Sequence, residues 1–283
     1  MSKHKILTLL LALMFVVGVS GLAMAGNTGN VDQNGYGNYA NIYQESDGNW
    51  AYINQVSETT GNEAYITQTG ANNSATTYQN GEGNYAEQTQ STDGNTAYIE
   101  QGNANDVANG NEAYQTQEST NGADSASIYQ YGDSNYAEQY QHGSSGNTAI
   151  IVQPGNDNYA YQEQYGDNGY AYIYQAGTQG SATQTQGGNY NSAYIYQWSG
   201  TGNVATQTQS GNPNGDNGYN TAKIEQSGDY NTASQTQTGN GNYAYAYQLG
   251  NNNSVTQVQA LNGGSTVVNQ VGNGNTAVVT QTP

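Results

Sequence analysis

The chain has no cysteine, a single phenylalanine, three prolines and three basic residues among 283. Each shortage removes a class of explanation. Without cysteine there is no disulfide, so an exported chain must draw its stability from another source. The phenylalanine, Phe15, sits in the N-terminal apolar run, and leucine is nearly absent beyond residue 25. The usual aliphatic and aromatic core is therefore missing. Of the cations, Lys3 and Lys5 lie at the N-terminus and Lys223 stands alone after them, against 21 acidic residues and a formal net charge of −18. Nucleic acid binding requires a basic footprint, and an anionic membrane surface requires basic clusters; the chain offers neither.

The first 25 residues read as a secretory signal peptide. Lys3, His4 and Lys5 precede an apolar run from Ile6 to Val19, and Ala23-Met24-Ala25 places small residues at the cleavage positions. That run is short for a bilayer span, so the processed chain is not expected to be an integral membrane protein. Three parts are predicted: a signal peptide at 1–25, a short segment at 26–37 and a repeat array at 38–283.

What fills the array is glycine, asparagine, glutamine, serine and threonine, a composition that on its own permits disorder. Periodicity argues otherwise. The template N-x-A-x-x-x-Q, with asparagine at position 0, alanine at +2 and glutamine at +6, recurs 21 times between Asn38 and Gln281. Asn38-Ala40-Ile42-Gln44, Asn95-Ala97-Ile99-Gln101, Asn191-Ala193-Ile195-Gln197 and Asn275-Ala277-Val279-Gln281 are representative. Every copy keeps the final glutamine; Val255 and Thr266 are the two departures from alanine. A fainter copy, NTGNVDQ at 27–33, reads as a degenerate repeat at the start of the array.

Positions 0, +2, +4 and +6 share a period of two and project from one face of a strand, with +1, +3 and +5 on the other. The short Gly/Asn/Asp/Ser stretches between copies are turns. Of the 27 tyrosines, 21 fall at +1, +3 or +5 and the rest in turns. Large side chains are thus excluded from the even face, which must be a thin interior. From Gln88 to Gln257 the +4 residue alternates, running Gln88, Ile99, Gln115, Ile128 and on through Gln184, Ile195 and Gln207. The true unit is therefore two strands and about 22 residues per rung.

The expected fold is all-β: an amyloid-like, two-sheet parallel β-solenoid of about 21 strand–turn half-repeats. Small alanine at +2 of one sheet faces the large +4 residue of the other, and asparagine faces glutamine. Isoleucine, glutamine and asparagine ladders run along the sheets, Gln184 and Gln186 among them, with each ladder amide expected to donate to the next rung and accept from the previous one. Gln281 lies close to the C-terminus and the array begins soon after residue 25, which leaves no room for caps; the open edges are expected to pair with a second copy.

The N-x-A-x-x-x-Q copies and the Q-x-x-G-N turns, over 38–281, resemble the curlin family, the secreted subunits of bacterial curli fibres. The resemblance implies export of an unfolded chain, folding into stacked rungs and polymerisation into extracellular biofilm fibres. It further implies self-association, other curlin-like subunits and a secretion and chaperone system as partners. Two features depart from the family's major subunits. Residues 26–37, GNTGNVDQNGYG, are short for the glycine-rich targeting segment that follows the signal peptide there. Both strands of a rung usually begin with asparagine, as nucleating subunits often do, where major subunits tend to begin one with serine.

Other functions are weaker readings. His142 is the one histidine after the N-terminus and arginine is absent, while Glu87, Glu138 and Glu163 fall on outward positions of different rungs. No catalytic, metal or cofactor site is expected. The acidic turns ESDGN (45–49), STDGN (91–95) and GDNG (166–169) match no repeated calcium loop and read as turn-forming aspartates. Outward T-x-T pairs, Thr183/Thr185 and Thr206/Thr208, continued by Ser234/Thr236 and Thr256, leave ice binding by a monomeric solenoid as an alternative. Outward tyrosine pairs, Tyr172/Tyr174, Tyr194/Tyr196 and Tyr245/Tyr247, are the candidates for adhesion or polysaccharide binding.

Overall fold

The computed structural model describes residues 26–103, 106–143, 145–211 and 219–283. The expected signal peptide at 1–25 lies outside the described residues. Among those described, the chain forms 22 strands, from β1 (Thr28–Asn34) and β2 (Tyr39–Gln44) to β21 (Ser265–Val271) and β22 (Thr276–Gln281). Odd strands form one 11-stranded sheet, here sheet A, and even strands form a second, sheet B. Each strand pairs in parallel with the strand two places on, so consecutive strands alternate between sheets and every pair of strands completes one rung. The fold is an all-β two-sheet solenoid of 11 rungs.

The first rung begins earlier than the 38–283 boundary. NTGNVDQ supplies β1, which pairs with β3 (Trp50–Val56) in full register from Thr28↔Trp50 to Asn34↔Val56. Alanine is missing from this copy because Gly29 takes its place. A Cβ there would still sit 3.5 Å from Ile42 Cγ2, so the position faces the +4 residue of the opposite sheet.

Burial follows the period of two. Strand after strand reads half-buried, buried, half-buried, buried, as in β10 (Tyr136–Gln141) and β13 (Tyr170–Gln175). Register is what converts this pattern into ladders, because a slip by one residue would turn every isoleucine to solvent. Ile173↔Ile195 and Ala171↔Ala193 stack within sheet A, and Gln162↔Gln184 within sheet B. The main apolar cluster joins sheet B alanines such as Ala137, Ala160 and Ala182 to sheet A isoleucines such as Ile151, Ile173 and Ile195. Volume is conserved where the code changes: Val255 enlarges a +2 position of sheet B where sheet A narrows from Ile224 to Ala246.

Turns stack as closely as strands. The residue before position 0 repeatedly adopts a left-handed conformation, at Gly48, Asn72, Ser134, Asp157 and Asn252 among others. At Gly228, φ is 101° and a Cβ would lie 2.3 Å from Gly250 O in the next rung, so only glycine fits. Acidic turn residues act as acceptors: Asp93, Asp133 and Asp229 each take a backbone N–H through Oδ1, from Ala71, Asn109 and Thr201. Among the described residues no helix is long and apolar enough to cross a membrane.

Candidate self-assembly ladders and outer faces

The interior residues singled out from the sequence are brought together as ladders. Asn95, Ala97, Ile99 and Gln101 are at most 2% exposed, as are Gln184, Gln186 and all of Asn191, Ala193, Ile195 and Gln197. The copies in the two end rungs differ. Ala40 is fully buried, but Asn38, Ile42 and Gln44 are only half-buried, and so are Asn275, Ala277, Val279 and Gln281. Among the described residues, each of these rungs is covered on one side alone.

Glutamine does what the ladder expectation requires. At +6 of sheet A, Gln33 Nε2 donates to Gln55 Oε1, Gln55 to Gln79 and Gln79 to Gln101, and the chain of donations ends at Gln270. At +6 of sheet B the same relay runs from Gln44 to Gln281. A third ladder, at +4 of sheet B, links Gln88 to Gln257 through bonds of 2.7–2.9 Å. Apart from the first, Gln33, the ladder amides also donate to a backbone carbonyl across the rung, as Gln184 does on Tyr172 O at 3.0 Å. A buried amide left unpaired would cost roughly 1–3 kcal/mol, and in the inner rungs both hydrogens and the oxygen are used.

Asparagine behaves differently, which corrects the expected amide-to-amide ladder at position 0. Its Oδ1 mostly accepts the backbone N–H of the next rung, as Asn73 does from Asn95, while Nδ2 reaches a glycine carbonyl in the next turn, as Asn135 does on Gly155 O. The side chain is too short to bridge rungs amide to amide with regularity, so it ties strand to turn instead. Asp124 occupies one such position at 1% exposure. Burial pushes its carboxyl above the ordinary carboxylate value.

On the outer face of sheet A, the six candidate tyrosines are half-buried. Tyr172 stacks against Tyr196 at 5.4 Å between ring centroids. Two contributors were missed in the sequence. Trp198 lies at a register irregularity between Gln197 and Ser199, which pushes the indole outward to pack on Tyr174 at 5.2 Å and Tyr196 at 5.1 Å. Lys223 sits 5.3 Å from the Tyr196 ring centre and 5.7 Å from that of Tyr245, with Glu225 at 2.5 Å from its amine. It joins Tyr194/Tyr196 to Tyr245/Tyr247 across the one strand lacking outward aromatics between them. The Glu225 bond raises the lysine's pKa, and burial pushes Tyr172 and Tyr245 up to about 12.

Sheet B carries a second, unforeseen column. Tyr39, Tyr65, Tyr85, Tyr114 and Tyr136 zigzag between +1 and +3, and Tyr159 continues the column at +1, with centroids 5.2–5.6 Å apart. Beside Tyr65, Tyr85, Tyr114 and Tyr136 the vacated position is filled by Glu63, Glu87, Glu112 and Glu138, and the phenol of the same strand donates to it, at 2.9 Å for Tyr85–Glu87 and Tyr136–Glu138. The alternation of YxE and ExY in successive sheet B strands was the signal that could have revealed it. From Ser181 onward the same face turns to hydroxyls and methyls, with Thr183↔Thr206 and Thr185↔Thr208 in register. His142 lies beside Glu163 at 3.1 Å and stacks on Tyr140.

The curlin associated repeat matches four stretches of this solenoid, at 37–70, 70–102, 145–177 and 231–257. The chain belongs to the curlin family. The comparison with curated proteins gave no match. Curlin repeats point to a curli-type structural subunit and to extracellular curli fibres, and both repeat and fold are structural rather than enzymatic. In this curlin the matched stretches span strands of both sheets.

Proposed function

We propose that the chain is the structural subunit of an extracellular functional amyloid fibre, assembled head to tail and serving biofilm matrix, adhesion and surface attachment. Residues 1–25 direct export and are removed, and 26–283 form the fibre unit. The observation that supports this best is the state of the two ends. Among the described residues, β1 and β2 at one end, and β21 and β22 at the other, each pair on one side only. All four keep the +6 glutamine, as Gln33, Gln44, Gln270 and Gln281, that links the rungs between them. Parallel pairing of such an edge with a second copy satisfies the unpaired backbone groups and extends the +6 glutamine relays.

Negative-stain electron microscopy of the purified chain, released from denaturant into neutral buffer, tests this directly. Unbranched filaments are expected. Persistent discrete monomers would remove the fibre reading and favour a monomeric solenoid acting through its outer threonine or tyrosine faces. The sheet A tyrosines are the proposed adhesive surface. Replacing Tyr172, Tyr174, Tyr194, Tyr196, Tyr245 and Tyr247 by serine should weaken fibre binding to surfaces while filaments still form, and unchanged binding would exclude them.

A further inference from the structure

The +4 ladder of sheet B is closed inside the molecule. Its first amide, Gln88, stands above Ile66, which has no donor to give. Thr77 supplies one from the opposite sheet, its Oγ1 donating to Gln88 Oε1 at 3.1 Å. Its last amide, Gln257, stands below Val279, which has no acceptor. Thr266 supplies that, its Oγ1 accepting from Gln257 Nε2 at 3.2 Å. Thr77 replaces the isoleucine found along most of the sheet A +4 column, and Thr266 replaces the alanine usual at +2. These two exceptions to the repeat code sit where the ladder starts and stops.

Beyond these threonines the centre of the solenoid is aliphatic in both sheets. Val31 and Ile42 occupy +4 in the first rung, Ile53 and Ile66 in the second, and Val268 and Val279 in the last. Val31, Ile42 and Val279 are partly or largely exposed, whereas their counterparts in inner rungs are at most 1% exposed. The +6 relays, in contrast, run to both edges. They point one way, so Gln33 and Gln44 present carbonyl oxygens at the first rung, and Gln270 and Gln281 present amide hydrogens at the last.

We infer that the terminal rungs form a matched joint whose partner is the opposite end of a second copy of this chain; the inference rests on the fibre reading above. Val279 stacks on Ile42 and Val268 on Val31, while Gln270 donates to Gln33 and Gln281 to Gln44. The joint is apolar at +4 and polar at +6. Because no +4 amide waits at either edge, docking buries apolar surface there without stranding a hydrogen-bonding group. An end carrying a +4 glutamine, as a fibre broken through rungs 3–10 would, meets aliphatic carbon in its place and leaves that amide unpaired. Natural ends therefore select natural ends.

The test uses the wild-type chain, Val279→Gln, Ile42→Gln, the double variant carrying both, and Val279→Leu as an apolar control. Elongation rates are measured on sheared fibres, with filament growth scored by sedimentation and microscopy. Each single glutamine variant should sustain growth on its own fibres at roughly a tenth of the wild-type rate or less, the cost of one stranded amide per joint. The double variant should regain growth on its own fibres, since the two introduced glutamines then continue a ladder across the joint, yet stay slow on wild-type fibres. Val279→Leu should grow as wild type. Equal growth of all variants on wild-type fibres overturns the joint while leaving the fibre reading intact. A double variant no faster on its own fibres than the singles also overturns it. Absence of filaments from the wild-type chain instead removes the fibre reading on which the joint depends.

Discussion

Asp124 Oδ1 accepts the backbone N–H of Asn147 at 2.8 Å, while its Oδ2 is buried with no partner among the described residues. Asn147, the next residue of this column, instead presents an Nδ2 and donates it to a turn carbonyl, Gly166 O, at 2.8 Å. A carboxylate has no hydrogen to give there, and a protonated carboxyl does.

The first prediction follows from that difference. Burial raises the Asp124 pKa above its ordinary 3.8. A raised native value favours the protonated folded state, so its contribution is most favourable below about pH 4 and is lost as pH rises through the native pKa. Asp124→Asn should remove this dependence and stabilise the solenoid at neutral pH by about 1–3 kcal/mol. Denaturant titrations of both forms at pH 4 and pH 7 check it, and an equal gap at the two pH values would count against it.

A second prediction compares neighbours in one strand. Ile195 is fully buried, and Tyr194 beside it is half-buried on the outer face. Ile195→Asp places a charge in a dry ladder and should prevent folding or fibre growth. Tyr194→Asp should leave both close to wild type. Circular dichroism and sedimentation distinguish the two, and equal effects would contradict the inside–outside assignment.

Alkaline pH should act through the tyrosine columns. Burial, with nearby carboxylates, pushes Tyr114 and Tyr161 up to about 12, and burial with neighbouring tyrosines does the same to Tyr172. Their ordinary value is 10.0, so this stability is complete below pH 10 and is lost as pH rises through about 12. Tyrosinate absorbance of the folded chain should therefore rise at higher pH than that of the chain in denaturant. Coincident titrations would show that the columns do not hold their phenols.

Assembly should respond to screening. A net charge of −18 opposes the approach of two copies, and added salt shortens the range of that repulsion. Filament formation should accelerate with ionic strength and as pH falls through the carboxylate range. A lag time independent of both would refute the electrostatic part of the account.

Much of this molecule was legible along the chain because its physics is local and repeated. A period of two separates Ile195 from Tyr194, the exclusion of tyrosine from even positions marks the thin interior, and the Ile/Gln alternation at +4 reveals a two-strand rung. These depend only on which face a side chain leaves, and strand geometry settles that. What the tertiary structure alone decided concerns neighbours in other rungs. Gly29 completes a first rung despite a weak repeat, because the facing Ile42 suits a small residue. Asparagine at position 0 bonds mainly to backbone, because its side chain is one methylene shorter than glutamine's. Thr77 and Thr266 look like lapses in the repeat until register sets one against Gln88 and the other against Gln257. Trp198 joins the sheet A aromatics through a register irregularity, and the Tyr/Glu zigzag emerges once sheet B strands lie side by side. Sequence periodicity determines faces; the identity of a partner some twenty residues away is fixed by register and reach, which exist only in the folded stack.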